Sequence, residues 1–312
     1  MITPACCSRR EFLQRAAVLP AAAGLALRGL AAEPAAKVFT PPIVLFTKVC
    51  AQAGLTLEQS AGLIADAGLD GVDCPVRPKD EILPERVKDD LPRYADLLRQ
   101  RGRKLALLTT AIQSPESPHT QDILRTAKQL GVRYYRLGFL RVTQGAALPK
   151  LVEETRARLK ALAALNQELG LCALIQNHSP GGSDGYLGGD LAVMAQLVQG
   201  FDPAQIAVAF DPGHALLVHG DDWPKHFTQL QPHLGVVYVK DTHRQRRFVP
   251  FGEGEFRQSD LFKRLKAMNY SAPLSLHIEY DWDEGGRART PAALLKAAAS
   301  STKTLRSWLA AA

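Results

Sequence analysis

An eightfold alternation of short apolar runs with longer amphipathic stretches constrains this chain more than any other feature. The runs fall at 43–50 (IVLFTKVC), 71–76, 105–112 (LALLTTAI), 134–139 (YYRLGF), 171–178, 206–210 (IAVAF), 235–240 (GVVYVK) and 274–279 (LSLHIE). Helical periodicity fills the intervals at 57–67, 91–101, 120–130, 149–169, 187–198, 222–230 and 260–268, and a last helix is predicted over 291–309. Short, mostly apolar runs are the pattern of parallel strands covered by helices. Pro149 opens the longest helix and Gly170 closes it, the asymmetry expected of helix ends. Eight strand–helix repeats predict an α/β fold, a single (β/α)8 TIM barrel. A doubly wound open sheet is the alternative, and the G-x-G-x-x-G turn common in that fold is absent.

Residues 1–32 read as an address and 33–312 as the barrel. Ser8-Arg9-Arg10-Glu11-Phe12-Leu13 matches a twin-arginine export signal, followed by a weakly apolar run over 16–27 and small residues around 29–32 suited to cleavage. The expected location is therefore the periplasm. Cys6 and Cys7 precede the apolar run, where a lipidated cysteine would follow it, so no stable membrane anchor is expected. The signal holds four arginines against one glutamate, so its removal lowers the formal charge from +7 to +4. No basic block with interleaved aromatics remains, which argues against nucleic acid as a partner. Cys50, Cys74 and Cys172 each sit in a predicted strand, which reads as core packing and not as a disulfide framework.

In such a barrel the C-terminal strand ends build the active site, and residues two apart on a strand share a face. Both rules together select an inward set: Lys48, Asp73, Arg136, Gln176 with His178, Asp211, Tyr238 with Lys240, and His277 with Glu279. Arg77 and His214 lie just beyond, on loops at the same mouth. A polar group at nearly every strand end is costly as packing, because buried charges need partners. Individual alternatives stay open. Asp211 could cap a turn and leave His214 on the surface, Arg136 could pair with Asp73, Lys240-Asp241 could be a solvated strand end, and His277 could be a hydrogen-bonded core residue.

The segments FTKVC, DGVDCPVRP, VRYYRLG, LIQNHS, FDPGH, VYVKD with FGEGEF, and HIEY resemble the sugar phosphate isomerase/epimerase family with its xylose-isomerase-like barrel. The closest likeness is to its exported, twin-arginine-signal members, and it runs from about residue 42 to 309. The resemblance implies one divalent metal held by Glu, Asp, His and Glu at the ends of strands five to eight. Asp211 and Glu279 match that set, but Gln176 stands at the strand-five Glu and Tyr238 at the strand-seven His. Gln176, Asp211 and Glu279 are thus the candidate ligands, with Mn²⁺ or Mg²⁺ favoured by oxygen donors and a metal-free site as the alternative.

The implied chemistry is proton abstraction beside the carbonyl of a sugar or keto-sugar, by an isomerase or epimerase. Glu279, Lys240 and His178 are the candidate acid–base groups, and Lys48, Asp73, Arg77, Arg136, His214, Tyr238 and His277 the candidate substrate contacts. Gln176 cannot act as a base, so a 3-keto-glycoside lyase, hydratase or dehydratase of the same family is an alternative. A non-catalytic sugar-binding barrel is another. A repair endonuclease of this fold would need a three-metal cluster that the chain does not offer. The sequence leaves the sugar, its stereocentre and the oligomeric state open.

Overall fold

The computed structural model describes residues 39–142, 144–180, 185–245, 247–256, 260–280 and 290–312, with the Arg247 side chain excepted. The proposed signal, including Cys6, Cys7, Arg9 and Arg10, lies outside the described residues.

Eight strands close into a parallel barrel, each pairing with the next around the ring. They are β1 (Ile43–Phe46), β2 (Gly71–Val76), β3 (Lys104–Thr110), β4 (Tyr134–Arg136), β5 (Cys172–Gln176), β6 (Ile206–Phe210), β7 (Leu234–Val239) and β10 (Leu274–Leu276). The ring closes where β1 pairs with β10, at Ile43↔Leu274 and Leu45↔Leu276. The expected (β/α)8 barrel is therefore the fold.

The helices are α1 (Lys48–Gln52), α2 (Leu57–Asp66), α3 (Val87–Gln100), α4 (Thr120–Gln129), α5 (Leu148–Leu169), α6 (Leu191–Val198), α7 (Pro212–His219), α8 (Trp223–Leu230), α9 (Leu261–Ala267) and α10 (Pro291–Ala310). Local chemistry sets their ends. Thr56 and Gln59 form a reciprocal capping box on α2, Asp190 caps α6, and Thr290 caps α10 ahead of Pro291. Gly170 ends α5 with φ of 72°, a left-handed conformation that penalises side chains with a Cβ. Among the described residues no helix is long and apolar enough to cross a membrane.

Two apolar layers result. Inside the barrel, Val44, Leu107, Cys172, Leu174, Ala207, Ala209, Val236 and Tyr238 fill the lumen, so it is a packed core and not a pore. Between strands and helices, a larger layer buries residues such as Leu45, Ile64, Tyr135, Ile206, Phe227 and Leu305 completely. Each such aliphatic or aromatic side chain contributes about 1.5–3 kcal/mol relative to exposure. Cys50, Cys74 and Cys172 are free and buried, consistent with core packing.

Several expected boundaries are corrected. Strand β1 stops at Phe46, and residues 48–52 turn into α1, so Lys48 and Cys50 are helical and not on the strand. Asp211 follows β6 directly and its Oδ1 accepts the His214 amide at 3.2 Å, capping a helix where a loop was expected. A two-stranded antiparallel hairpin, β8 (Asp241–His243) with β9 (Arg247–Val249), follows β7 and was not expected at all. The region 187–198 begins as a 3-10 turn over Leu187–Gly189 and becomes α-helical only at Leu191.

Candidate active site

The inward alternation along the strands brings five charged side chains into the barrel, in two levels. The deeper level surrounds Asp73. Its Oδ1 accepts the Thr109 hydroxyl at 2.7 Å and its Oδ2 the Ser275 hydroxyl at 2.8 Å. Burial raises the Asp73 carboxyl above its usual range despite the neighbouring His277, the two hydroxyls and Arg136. No Asp73–Arg136 ion pair forms among the described residues. Arg136 is instead 3% exposed, with its guanidinium 4.6 Å over the Phe139 ring and Nη1 lacking a hydrogen-bond partner. The Tyr238 hydroxyl also lacks a well-formed hydrogen bond, and burial raises its pKa well above the ordinary value. The His277 ring is held between Phe46 and Tyr238, at 4.7 and 4.5 Å between centroids, with neither ring nitrogen hydrogen-bonded. It is therefore not the satisfied core histidine that formed one alternative.

The upper level centres on Lys240, 1% exposed. Its Nζ lies 2.7 Å from Glu279 Oε2, 3.0 Å from Asp211 Oδ2 and 3.2 Å from His214 Nε2. An ammonium only donates, so His214 Nε2 is the acceptor and its proton sits on Nδ1, donated to Ser179 Oγ at 2.8 Å. Burial pushes the His214 ring down to about 3, which keeps it neutral. Burial alone would raise the Glu279 carboxyl, but the Lys240 ammonium and His277 hold it well below the carboxylate range. Asp211 is lowered likewise, burial being outweighed chiefly by the Lys240 ammonium, while both carboxylates raise Lys240 against its own burial. Gln176 donates its side-chain amide to Asp211 Oδ2 at 3.1 Å.

The other expected residues fall around these two levels. His178 stacks on His214 at 3.8 Å between centroids and meets Phe139 and Tyr186 edge-on, and burial lowers its pKa. His214 itself is buried on α7, which corrects both its loop assignment and the surface alternative. Arg77 leaves β2 on a loop and pairs with Asp80 at 2.5 Å. Lys48, although helical, lines a cavity of about 300 Å³ with Phe46, Phe248, Ile278, Glu279 and Tyr280. Glu279, 29% exposed in its side chain, is the charged group that links this cavity to the buried centre. A larger cavity of about 440 Å³ lies against α9 and α10, lined by Phe262, Thr304 and Trp308. It brings no acid–base pair together, so chemistry and not volume places the site.

Sequence reasoning missed the groups that hold this centre in place. The Asn177 side chain donates to the Asp211 carbonyl at 2.8 Å and accepts from its amide at 2.7 Å, locking the ends of β5 and β6. A Cβ on Gly213 would sit 2.8 Å from Lys240 Cγ and 2.6 Å from Thr242 Oγ1, so the lysine stem passes where only glycine leaves room. Phe248 on β9 covers the centre, 4.6 Å from Lys240 Nζ and 5.4 Å from the His214 ring. The hairpin carrying it is anchored by Asp241, whose carboxylate accepts the amides of Thr242, Gly252, Gly254 and Phe256. Asp241 is thus a buried anchor and not a solvated strand end. FGEGEF is the segment that supplies three of those amides, a link that side-chain type alone does not disclose.

The expected metal ligands do not form a cation site. Asp211 Oδ2 is taken up by Lys240 and Gln176, Asp211 Oδ1 by the His214 amide, and Glu279 Oε2 by Lys240. Gln176 faces Asp211 with a donor, because a carboxylate can only accept. Among the described residues no three His, Cys, Asp or Glu side chains converge as ligands. The donor set does not fit a divalent metal.

Solved structures share this fold at low sequence identity. A 3-keto-D-glucoside 4-epimerase from E. coli matches with a TM-score of 0.63 at 15% identity, over 86% of this chain and 100% of that one. The IOLI protein, solved with a bound zinc atom, matches at 0.67 and 16% identity, over 86% and 98%. A D-allulose 3-epimerase from Methylomonas sp. matches at 0.60 and 17%, over 87% and 99%. No curated protein matches at the sequence level. The family model described as xylose isomerase-like TIM barrel matches residues 61–305, which span most of the barrel, from α2 to α10. By that match the chain belongs to the xylose isomerase-like TIM barrel family.

Proposed function

We propose that this chain is a carbohydrate-acting enzyme that moves a proton on the carbon next to the carbonyl of a sugar or keto-sugar. The observation that carries this reading is Glu279, a carboxylate open to a sugar-sized cavity and backed by the buried Lys240. In the first step the Glu279 carboxylate takes the C–H proton and the electron pair moves toward the carbonyl oxygen, forming an enediolate. For isomerisation the same carboxyl returns the proton to the former carbonyl carbon while the proton of the other enediol hydroxyl moves to the enediolate oxygen. For elimination the carbonyl re-forms and the β-substituent leaves with its bonding pair and takes the proton from Glu279. His178, whose ring lies against His214, and Arg136, whose Nη1 has no partner, are the candidate donors to hydroxyl groups of the sugar.

Gln176 favours single-base chemistry. It supplies no carboxylate on the opposite face, so enediol isomerisation or β-elimination fits better than two-face epimerisation. The deciding experiment is turnover of a ketohexose and 3-keto-glycoside panel in D₂O. Glu279→Gln should lower kcat by ~10²–10⁴-fold with the fold intact, and an isomerised product of the wild type should carry deuterium at the neighbouring carbon that is reprotonated. Full activity in Glu279→Gln ends the proposal, and a wild type that binds sugars without turning any over makes it a binding barrel.

The same proposal includes export. The pair Arg9-Arg10 followed by a short apolar run supports a twin-arginine signal, with a glycoside-derived substrate met in the periplasm. Changing Arg9 and Arg10 together to Lys should leave the precursor in the cytoplasm, and an undiminished periplasmic yield would refute export.

A further inference from the structure

We infer that the Lys240 ammonium does the work that the family resemblance assigns to a divalent cation, so that this centre operates without a metal. The buried Asp211 and the partly exposed Glu279 both lie within 3.0 Å of one Nζ, and the buried carboxylate requires a compensating positive charge, since an uncompensated buried ion costs several kcal/mol. Lys240 supplies it from the middle. An ammonium has three N–H donors, and three acceptors surround it: Glu279 Oε2 at 2.7 Å, Asp211 Oδ2 at 3.0 Å and His214 Nε2 at 3.2 Å. The Phe248 ring closes another side at 4.6 Å.

The charges of the two arrangements agree. A divalent cation among three carboxylates leaves one negative charge, and an ammonium between two carboxylates leaves the same. Gln176 in place of the third carboxylate and Lys240 in place of the cation are therefore matched, and Gln176 turns its amide donor onto Asp211 to complete the set. Gly213 is the steric counterpart, since any Cβ there would push the lysine stem out of this position.

A catalytic role follows, resting on the proposed proton abstraction. When Glu279 turns to take the substrate proton, one Lys240 N–H loses its acceptor. That N–H is then free to donate to the carbonyl oxygen as it becomes an enediolate. Base and oxyanion donor are thus released by one movement, with the proton on Glu279 and the electron pair on oxygen.

The test needs no substrate, so its outcome is independent of whether the sugar chemistry is right. Mn²⁺ is titrated into the purified full chain by electron paramagnetic resonance and by thermal unfolding, in the wild type, in Lys240→Ala, and in Lys240→Ala with Asp211→Asn. The wild type should bind Mn²⁺ no tighter than about 1 mM, purify without stoichiometric cation and keep its Tm in EDTA. Lys240→Ala frees the carboxylate pair and should bind Mn²⁺ at least ~10-fold tighter, with a raised Tm, and the added Asp211→Asn should abolish the gain. A stoichiometric cation in the wild type, a Tm lowered by EDTA, or a folded Lys240→Ala that takes up no more Mn²⁺ than the wild type would each overturn the inference. If Lys240→Ala does not fold, the wild-type cation content and EDTA response decide alone.

Discussion

Asp241→Asn is the substitution whose cost the structure defines best. The Asp241 carboxylate accepts four backbone amides: Gly252 at 2.8 Å and Gly254 at 2.9 Å on Oδ2, Thr242 at 3.0 Å and Phe256 at 3.3 Å on Oδ1. Asparagine keeps the shape but turns one oxygen into a donor. Whichever way the amide is placed, two backbone N–H groups then face an N–H₂ instead of an acceptor. Each orphaned amide costs about 1–3 kcal/mol, so the variant should lose about 2–6 kcal/mol at this position. The loss has two routes. If the hairpin and the rest of the barrel unfold together, the urea midpoint falls by the full amount. If β8 and β9 open locally first, the global loss is smaller, and exchange at the Gly252, Gly254 and Phe256 amides accelerates instead. Urea unfolding and amide hydrogen exchange on the same samples cover both. An Asn variant within ~0.5 kcal/mol of the wild type and with unchanged exchange at those three amides would refute the anchoring role.

Other perturbations follow from single contacts. Gly213→Ala places a methyl 2.8 Å from Lys240 Cγ and should displace the ammonium from Glu279, lowering any turnover far more than Tm; equal activity with an unshifted Lys240 would count against it. Arg136→Met removes a buried guanidinium with an unpartnered Nη1, so Tm should rise while substrate KM increases, and a fall in Tm would show that Arg136 is structurally paired. Glu81 accepts from the Thr47 and Ser60 hydroxyls beside Asp80 and Cys74, and burial pushes its carboxyl from 4.5 up to about 7. A carboxyl raised in the folded state favours folding below its unfolded pKa and loses that contribution as pH rises through about 7. Stability should therefore fall between pH 5 and pH 8 in the wild type by more than in Glu81→Gln; parallel urea midpoints in the two proteins would contradict it.

The barrel was legible because its signal is repeated. Each apolar run is weak evidence alone, but strand-helix alternation eight times over leaves few architectures. The inward set was legible for a related reason, since period-2 alternation needs only the register of each strand. Asp73, Arg136, Gln176, Asp211, Tyr238, Lys240, His277 and Glu279 all descend from it. Lys48 was misassigned because FTKVC continues the apolar character past the point where Thr47 and α1 turn the chain away. The α7 helix was missed because PGHALLVH is short and sits where a strand-end loop was expected, although Asp211-Pro212 is a capping residue followed by proline. The hairpin β8–β9 was missed because its anchor is long-range: Asp241 is held by amides 11 to 15 residues away, which no local propensity encodes.

The centre itself turned on a distinction that pattern cannot make. Alternation places Lys240 inward with Asp211 and Glu279, but a lysine can reach past its neighbours to solvent or fold back between them. The outcome depends on space, and the space comes from two places distant in sequence. Gly213 clears the path of the stem, and Phe248 closes the far side, so that the ammonium has nowhere better than the two carboxylates and His214. With the lysine there, Gln176 must turn a donor to Asp211, and His214 must carry its proton on Nδ1 toward Ser179. Gln176, Asp211 and Glu279, the expected metal ligands, are joined instead through Lys240 and its neighbours into one hydrogen-bond network, and the acid group of that network open to the cavity is Glu279.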